Sequence, residues 1–269
     1  MPRAGEQKFR NILVEQDGPL ALVTMNRPEK RNALSEEHML ELIDAFRRIG
    51  DQRETAVAIL RANGSAFCAG HDLSEMISRE PAAYRRLFDV CIELISTLQS
   101  IPQPVIAQVQ GMATAAGCQL VASCDLAVAS SEARFATPGV KIGLFCTTPM
   151  VALSRAVGRK KAMEMLLTGE PISAYEAEVA GLVNRVVPPA EVAAQTRALA
   201  ERIVASSAFI VSIGKRAFYQ QVEMPQPAAY AYAKEVMSAN CSAADAQEGM
   251  SAFLEKRKAH WSTSSQPSR

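Results

Sequence analysis

Two short segments of small residues are the parts of this chain best suited to chemistry. The first, residues 66–73, reads AFCAGHDL, and the second, residues 111–120, reads GMATAAGCQL. Each follows an apolar run and precedes a helical pattern, which leaves backbone N–H groups unpaired and open to an anion. Two such donors from separate loops are what a thioester enolate or a tetrahedral oxyanion requires, and losing one donor typically costs about 3 kcal/mol. Taken alone, either loop is also explained by close backbone packing.

The elements that must position these loops alternate between strand and helix. Apolar runs and turn residues such as Asp17-Gly18 indicate the strands, and helical spacing after Ser35 indicates the first helix. Strands are expected at 12–14, 20–25, 56–61, 104–109 and 126–130, and helices at 35–49, 82–100 and 117–123. This alternation predicts an α/β fold with a mainly parallel sheet.

The second half of the chain is dominated by helical patterns. They are expected at 148–157, 160–167, 174–180 and 189–206, and then in long stretches to about residue 258. The sheet is expected to stop near Val187. We therefore divide the chain into residues 1–205 and 206–269, and we expect the terminal STSSQPSR to be disordered.

Composition and charge exclude several classes of protein. Of the 269 residues, 48% are hydrophobic and 21% are charged, as in ordinary globular domains. The formal net charge of +1 gives no global field for nucleic acid, so that partner is not expected. No GxG, GxxxxGK[ST] or GxSxG motif occurs, and His38 and His260 lack metal-ligand spacing, so neither a nucleotide cofactor nor a metal is expected.

The cysteines and the N-terminus bear on location. The six cysteines contain no CxxC pair and are interpreted as free, buried thiols, which suits a reducing compartment. The N-terminal sequence lacks the apolar core of a secretory signal, and no run approaches the roughly 18 apolar residues of a membrane span. A cytoplasmic location is the simplest expectation, with an organelle-targeting segment outside the given sequence left open.

Six ordered motifs make the chain resemble the crotonase, or enoyl-CoA hydratase/isomerase, family along nearly its whole length. They are MNRPEKRNALS, AFCAGHDL, PVIAQVQGMATAAGCQLVASCDLAVAS, ARFATPGVKIG, AVGRKKAMEMLLTGEPISAYEA and EGMSAFLEKRK. The resemblance implies a crotonase-like spiral of ββα units over residues 1–205, which carries an acyl-CoA site. It also implies that residues 206–269 form a C-terminal helical trimerisation region, with self-association as a homotrimer or as a hexamer built from two trimers.

The resemblance also assigns residues to the site. The oxyanion donors carry over to the backbone N–H groups of His71 and Ala116. The resemblance places one set of residues, from the first loop, beside the acyl group of the acyl-CoA. It places a second set, from near the N-terminus and near the C-terminus of the chain, beside the nucleotide part of coenzyme A. The first-loop set is Ala69, Gly70, His71, Asp72, Leu73 and Ser74, and the nucleotide-end set is Lys30, Arg31, Phe253 and Lys256. Coenzyme A enters as part of the substrate, and no separate cofactor is implied.

The resemblance implies that the two catalytic glutamates of the family hydratases are replaced in this chain by Gln119 and Gly139. Hydration needs general acid–base groups, which glutamine and glycine do not provide. Residues 133–163 contain no Asp or Glu, so no replacement acid is evident there. Remaining candidates elsewhere are the side chains of His71, Asp72, Glu75, Glu80 and Cys146.

Several functions therefore remain open within the resemblance. The nominal function is enoyl-CoA hydration, with turnover in doubt because both glutamates are absent. The first alternative is a catalytically weak or inactive acyl-CoA-binding or regulatory homologue. The second is another reaction of the family, namely isomerisation, thioester hydrolysis or decarboxylation.

Overall fold

A computed structural model describes residues 9–262 of the chain. The strands are β1 Ile12–Asp17, β2 Leu20–Met25, β3 Val57–Ala62, β4 Ala66–Cys68, β5 Val105–Val109, β6 Met112–Thr114, β7 Leu126–Ser130, β8 Arg134–Ala136, β9 Ile172–Ser173 and β10 Arg185–Val187. The helices are α1 Glu36–Asp51, α2 Pro81–Ser100, α3 Ala116–Ser123, α4 Thr147–Ala156, α5 Arg159–Thr168, α6 Ala174–Ala180, α7 Val192–Val204, α8 Ala208–Gln221, α9 Gln226–Cys241 and α10 Ala244–Leu254. The expected disorder of the terminal STSSQPSR falls, apart from Ser262, outside the described residues.

The strands form two sheets that the chain visits in turn. The larger sheet has the order β1-β2-β3-β5-β7-β10, and the smaller has the order β4-β6-β8-β9. Each of the units β3-β4-α2, β5-β6-α3 and β7-β8-α4 places one strand in the large sheet, the next in the small sheet, and then a helix. Successive units therefore stack parallel to one another, and the predicted α/β spiral of ββα units is confirmed.

The large sheet and α1 form where apolar runs and helical spacing in the sequence predict them. The β1–β2 hairpin is antiparallel, and every later pair in this sheet within the described residues is parallel. Helix α1 begins after Ser35, whose hydroxyl accepts a hydrogen bond from the His38 N–H. Its buried face carries Met39, Leu42 and Phe46 at helical spacing, which packs the helix onto the core.

The small sheet is the part of the fold that sequence patterns did not reveal. The stretches that form β4 and β6 were treated as parts of loops and the stretch that forms β8 had no assignment, yet each contributes three residues to this sheet. Three residues are too few for a twofold pattern to stand out from a loop. Successive turns of the spiral pack closely at these strands. Gly117 of α3 lies so near β4 that a Cβ on it would be only 2.2 Å from the Cys68 carbonyl oxygen.

Helices alone follow β10 in the described part of the chain, as expected. Helix α8 is fastened to the spiral by Lys215, whose ammonium lies 2.8 Å from the Asp125 carboxylate and donates to two backbone carbonyls. The Tyr219 hydroxyl donates to the same carboxylate at 2.9 Å. The proposed division at residue 205 falls between α7 and α8 and stays a prediction. No helix between residues 9 and 262 has the length and hydropathy needed to cross a bilayer.

Candidate active site

The first predicted loop leaves one backbone N–H without a partner. Gly70 has a φ of +89°, a conformation that favours glycine. The Leu34 N–H donates to the Gly70 carbonyl at 2.7 Å, and the Asp72 N–H donates to the Leu34 carbonyl at 2.9 Å. Between these two bonds, the His71 N–H has no acceptor among the described residues. Its donor is therefore free for a ligand.

Asn32 holds the first loop in place, a role that sequence reasoning did not single out. Asn32 is fully buried, and its side-chain amide donates to the carbonyls of Asn63 and Ala66, both at 2.9 Å. The adjacent Arg31 carbonyl accepts a hydrogen bond from the Ala69 N–H at 3.0 Å. The Asn32 side chain thus fixes the start of β4, and the neighbouring Arg31 carbonyl holds the first loop at Ala69.

The second loop leaves a free N–H at the start of a helix. Ala115 adopts φ 49° and ψ −117°, a strained conformation for a residue other than glycine. It is held there because its N–H donates to the Ala136 carbonyl at 2.9 Å and its own carbonyl accepts from the Gln119 N–H at 3.0 Å. Ala116 is the first residue of α3, and its N–H has no acceptor within residues 9–262. The positive end of the helix dipole lies at the same point.

The two loops lie against each other. A Cβ on Gly70 would lie 2.9 Å from the Ala115 Cβ, 3.2 Å from the Thr114 carbonyl oxygen and 3.5 Å from the Ala116 nitrogen. Only glycine allows this approach. The unpaired N–H groups of His71 and Ala116 therefore belong to loops in direct contact, which is the arrangement that stabilises an oxyanion.

Gln119 lies one helical turn beyond Ala116 and is buried, with 4% of its surface exposed. Its Oε1 is 3.8 Å from the Cys91 thiol, which donates to it. Its Nε2 has no hydrogen-bond partner in the described part of the chain. The amide thus offers an N–H donor beside the donor pair, but it has no ionisable group.

Gly139 lies in a 3-10 helix, Pro138–Ile142, where the neighbouring turn fills the space that a side chain would occupy. A Cβ on Gly139 would lie 2.9 Å from the Cys146 sulfur, 3.0 Å from the Leu144 carbonyl oxygen and 3.2 Å from the Cys146 nitrogen. The Leu144 N–H donates to the Gly139 carbonyl at 2.9 Å, which holds the turn closed. Burial raises the pKa of the Cys146 thiol, so the sulfur here is neutral.

The His71 side chain is a neutral imidazole. Burial lowers its pKa from 6.5 to about 4. Its ring packs edge-on against Phe88, with 5.6 Å between ring centroids. Its buried Nε2 has no partner among residues 9–262. The ring therefore packs against α2.

The carboxylates near the first loop are engaged in structure. Asp72 accepts hydrogen bonds from the N–H and hydroxyl of Ser74 and forms an ion pair with Arg27 at 3.2 Å. The hydrogen bond from the Ser74 hydroxyl is the main cause that lowers the pKa of Asp72. Glu75 accepts from the Glu36 N–H at 2.9 Å and so caps α1. Neither carboxylate is a free acid or base.

The remaining predicted binding residues are spread over the surface. Lys30 and Arg31 are exposed, and their side chains have no ion-pair partner within the described range. Leu73 is half-exposed beside the first loop. Phe253 lies on α10, which packs on α8 and α9, and is 82% exposed. Lys256, just after α10, is also exposed, so within one chain these last two side chains are not packed against either loop.

A cavity adjoins the site on the other side of Gln119. It lies between α2, α3, α4 and α8 and has a volume of about 1080 Å³. Its wall includes Gln119, Ile95, Ala122, Val151 and Phe218. These residues come from four helices that are distant in sequence, so no spacing pattern predicts that they meet.

The chain is similar to known proteins over nearly its whole length. A family profile described as "Enoyl-CoA hydratase/isomerase" matches residues 15–264. The "Enoyl-CoA hydratase domain-containing protein 3, mitochondrial" of Danio rerio is 48% identical over 251 residues, which cover 93% of this chain and 87% of the relative. The crystal structure of an enoyl-CoA hydratase from Mycobacterium smegmatis superposes with a TM-score of 0.92 at 48% identity, over 94% of this chain and 99% of that one. The crystal structure of human enoyl coenzyme A hydratase domain-containing protein 3 gives a TM-score of 0.91 at 44% identity, over 94% and 100% of the two chains.

The names of these relatives correct the expected location. The relatives from Xenopus laevis, Danio rerio, Mus musculus and Homo sapiens are all named as mitochondrial proteins, so the expectation of a cytoplasmic location is wrong. The expectation rested on the lack of a secretory signal and of a membrane span. Those features separate exported and membrane proteins from the rest, but they do not distinguish the cytoplasm from the interior of an organelle.

Proposed function

Because this chain belongs to the enoyl-CoA hydratase/isomerase family, which acts on acyl-CoA, we propose that it binds an acyl-CoA and polarises the thioester carbonyl with the N–H groups of His71 and Ala116. The motif-based resemblance to the family is confirmed, as is the closer likeness to the domain-containing protein 3 type through TAAGCQLVASCD and FATPGVKIGLFC. The observation that carries the proposal is the contact between two loops that each present an unpaired N–H. In a site that excludes water, two such donors stabilise a developing oxyanion.

We propose further that hydration is weak. General acid–base groups typically contribute about 10²–10⁴-fold each, and the two positions that hold glutamates in the family hydratases are Gln119 and Gly139. The filled space at Gly139 supports this proposal, because no water-orienting group fits between that residue and Cys146. The function proposed is therefore thioester binding and polarisation, with little addition of water.

A second candidate is another reaction of the same polarised thioester, such as isomerisation, hydrolysis or decarboxylation. It is favoured by the His71 imidazole, whose burial keeps it neutral and whose Nε2 has no partner among the described residues. The neutral ring can take part in proton transfer, with the lowered pKa making it a weak base. His71→Gln keeps the backbone N–H and removes the ring, so loss of turnover with retained binding would favour this candidate.

We also propose that the chain self-associates as a trimer or hexamer through residues 206–269. The support is the large apolar side chains left exposed on α8 and α10, including Phe218, Phe253 and Leu254. Phe253 and Lys256, together with Lys30 and Arg31, would contact the nucleotide end of coenzyme A. No cofactor beyond the coenzyme A of the substrate is needed for carbonyl polarisation.

The proposed function is tested by calorimetric titration of butyryl-CoA, which is saturated and does not react with water. Gly70→Ala places a Cβ 2.9 Å from the Ala115 Cβ and should weaken butyryl-CoA binding by at least about tenfold, in line with the loss of one donor. Gly18→Ala is the matched control, because Gly18 also has a positive φ but has open space around its Cβ position. Equal affinity of wild type and Gly70→Ala for butyryl-CoA would refute the proposed donor pair. Robust wild-type hydration of crotonyl-CoA that survives Gln119→Ala would refute the weak-hydration claim.

A further inference from the structure

The side-chain amide of Gln119 presents a hydrogen-bond donor that the chain itself does not use. Gln119 is buried, with 4% of its surface exposed, yet its Nε2 has no acceptor among residues 9–262. Buried polar groups are nearly always paired. A free amide N–H at this depth therefore indicates an acceptor supplied from outside the chain.

The thiol of Cys91 determines which end of the amide is free. Burial raises the pKa of this thiol to about 12, so it keeps its proton and donates to Oε1 of Gln119 at 3.8 Å. Cys91 is itself buried and does not border the cavity, whereas Gln119 does. The carbonyl end of the amide is thus held by the core, and the Nε2 end is left for a guest.

The position of Gln119 on α3 places this donor close to the proposed oxyanion site. Gln119 follows Ala116 by three residues, so the two share a face of the helix. Helical side chains lean toward the N-terminus of their helix, which here is the end that carries the free Ala116 N–H. In an acyl thioester the β-carbon is two bonds from the carbonyl carbon. An oxygen on that β-carbon is therefore the part of the ligand best placed to meet the amide.

The charges around Gln119 favour a neutral oxygen over a carboxylate. The charged side chains on the adjoining wall are Asp125, Arg155 and Glu223. Asp125 is paired with Lys215 at 2.8 Å, and Arg155 is paired with Glu223 at 2.7 Å. A buried carboxylate on the ligand would need a cation of its own, and these two cations are already engaged.

We propose that Gln119 is a specificity-determining residue that selects acyl thioesters with a carbonyl oxygen on the β-carbon, that is, 3-oxoacyl-CoA. The inference rests on the proposed thioester function and adds the class of substrate. The thioester carbonyl accepts from the N–H groups of His71 and Ala116, and the 3-oxo group accepts from Nε2 of Gln119. An amide donates to a carbonyl oxygen, whereas an ionised glutamate at this position could only accept.

The test is calorimetric titration of the full chain with two ligands that differ in one group. Acetoacetyl-CoA carries an oxygen on the β-carbon, and 3-methylbutanoyl-CoA carries a methyl group in its place. One hydrogen bond to a donor that is otherwise unpaired is worth about tenfold in affinity, and we expect acetoacetyl-CoA to bind more tightly by that factor. Equal affinities of the two ligands would overturn the inference.

Two variants assign the preference to the amide. Gln119→Met keeps the length of the side chain and removes the amide, so the preference should fall below about threefold while 3-methylbutanoyl-CoA still binds. Cys91→Ala keeps Gln119 and removes the group that orients it, so the preference should fall by at least about threefold. Gln103→Met is the matched control, because Gln103 is also a buried glutamine but its amide donates to the Gln52 carbonyl, away from the two loops.

The outcomes separate this inference from the proposed function. If Gln119→Met and Cys91→Ala both keep the full preference for acetoacetyl-CoA, the preference comes from the backbone donors and the inference fails. If Gly70→Ala weakens both ligands and the wild-type affinities are equal, the thioester proposal stands and only the role of Gln119 is wrong. If neither ligand responds to Gly70→Ala, the proposed function itself fails.

Discussion

Placing glutamates at positions 119 and 139 should not turn this protein into an efficient hydratase. The variant is Gln119→Glu with Gly139→Glu. At position 139 the first side-chain carbon alone would lie 2.9 Å from the Cys146 sulfur and 3.0 Å from the Leu144 carbonyl oxygen. The Cys146 side chain can rotate its sulfur away, but the Leu144 carbonyl is part of a backbone turn that is closed by the hydrogen bond from the Leu144 N–H to the Gly139 carbonyl. The added side chain therefore has to move backbone.

The cost can be estimated from this geometry. Overpacking a core of this kind typically costs about 1–3 kcal/mol, and each kcal/mol shifts the Tm of a domain of this size by roughly 2–4 °C. A working acid–base pair would add at least about 10⁴-fold in rate. We expect the double variant to lose about 1–3 kcal/mol of stability and to gain less than about tenfold in crotonyl-CoA hydration.

The assays are urea unfolding and the loss of crotonyl-CoA absorbance over time. Adding Cys146→Gly should recover part of the lost stability, because it removes the sulfur contact while the Leu144 carbonyl remains. Gly158→Glu is the matched control, since a Cβ at Gly158 has open space around it. Its stability should stay within about 0.5 kcal/mol of wild type. A double variant that is as stable as wild type and hydrates about 10⁴-fold faster would refute the reasoning.

Three further predictions follow from buried groups. Lys215→Met leaves the carboxylate of Asp125 without its cation, so we expect a loss of about 3–5 kcal/mol in urea unfolding. Asn32→Ala removes the three side-chain hydrogen bonds of a fully buried residue and should cost about 1–3 kcal/mol while weakening butyryl-CoA binding. Burial lowers the pKa of His38 and of His71 from 6.5 to about 4, so the folded state disfavours their protonation. Stability should therefore be fully present above pH 6.5 and fall as the pH drops toward 4, by up to about 3 kcal/mol per histidine.

Each of these has its own check. The double variant Asp125→Asn, Lys215→Met should be more stable than Lys215→Met alone, and a single variant as stable as wild type would contradict the buried pair. For Asn32, unchanged unfolding would show that the loop does not depend on its amide. For the histidines, His38→Gln should reduce the slope of stability against pH between 6.5 and 4, and a slope equal to that of wild type would exclude His38 as a cause.

The sequence predicted the large sheet and the helices well, because their apolar runs are long enough to show a period. The hairpin at Asp17-Gly18 and the helix after Ser35 are signalled by local chemistry, and both are present. The short strands β4, β6 and β8 are defined by contact between turns of the spiral, and three residues carry no readable period. Local chemistry therefore predicts an element only when the element is long or capped.

The site likewise has features that the sequence predicts and features that depend on packing. The loops at 66–73 and 111–120 were identified because small residues between a strand and a helix have a local signature. The filled space at Gly139, the cap that Glu75 provides for α1, and the cavity walls depend on which distant segments pack together. A missing side chain is visible in a sequence, but whether its place is empty or occupied is a property of the packing alone.

The contact at Gly70 has one more consequence. Both proposed donors are backbone groups of loops that follow the neighbouring parallel strands β4 and β6, and neighbouring strands lie about 4.8 Å apart. Replacing the side chain of His71 or Ala116 leaves that distance unaltered. The proposed thioester site is therefore made of backbone that the Asn32 side chain helps to fix, and substitutions at positions 119 and 71 can change the chemistry offered there without moving the two N–H groups.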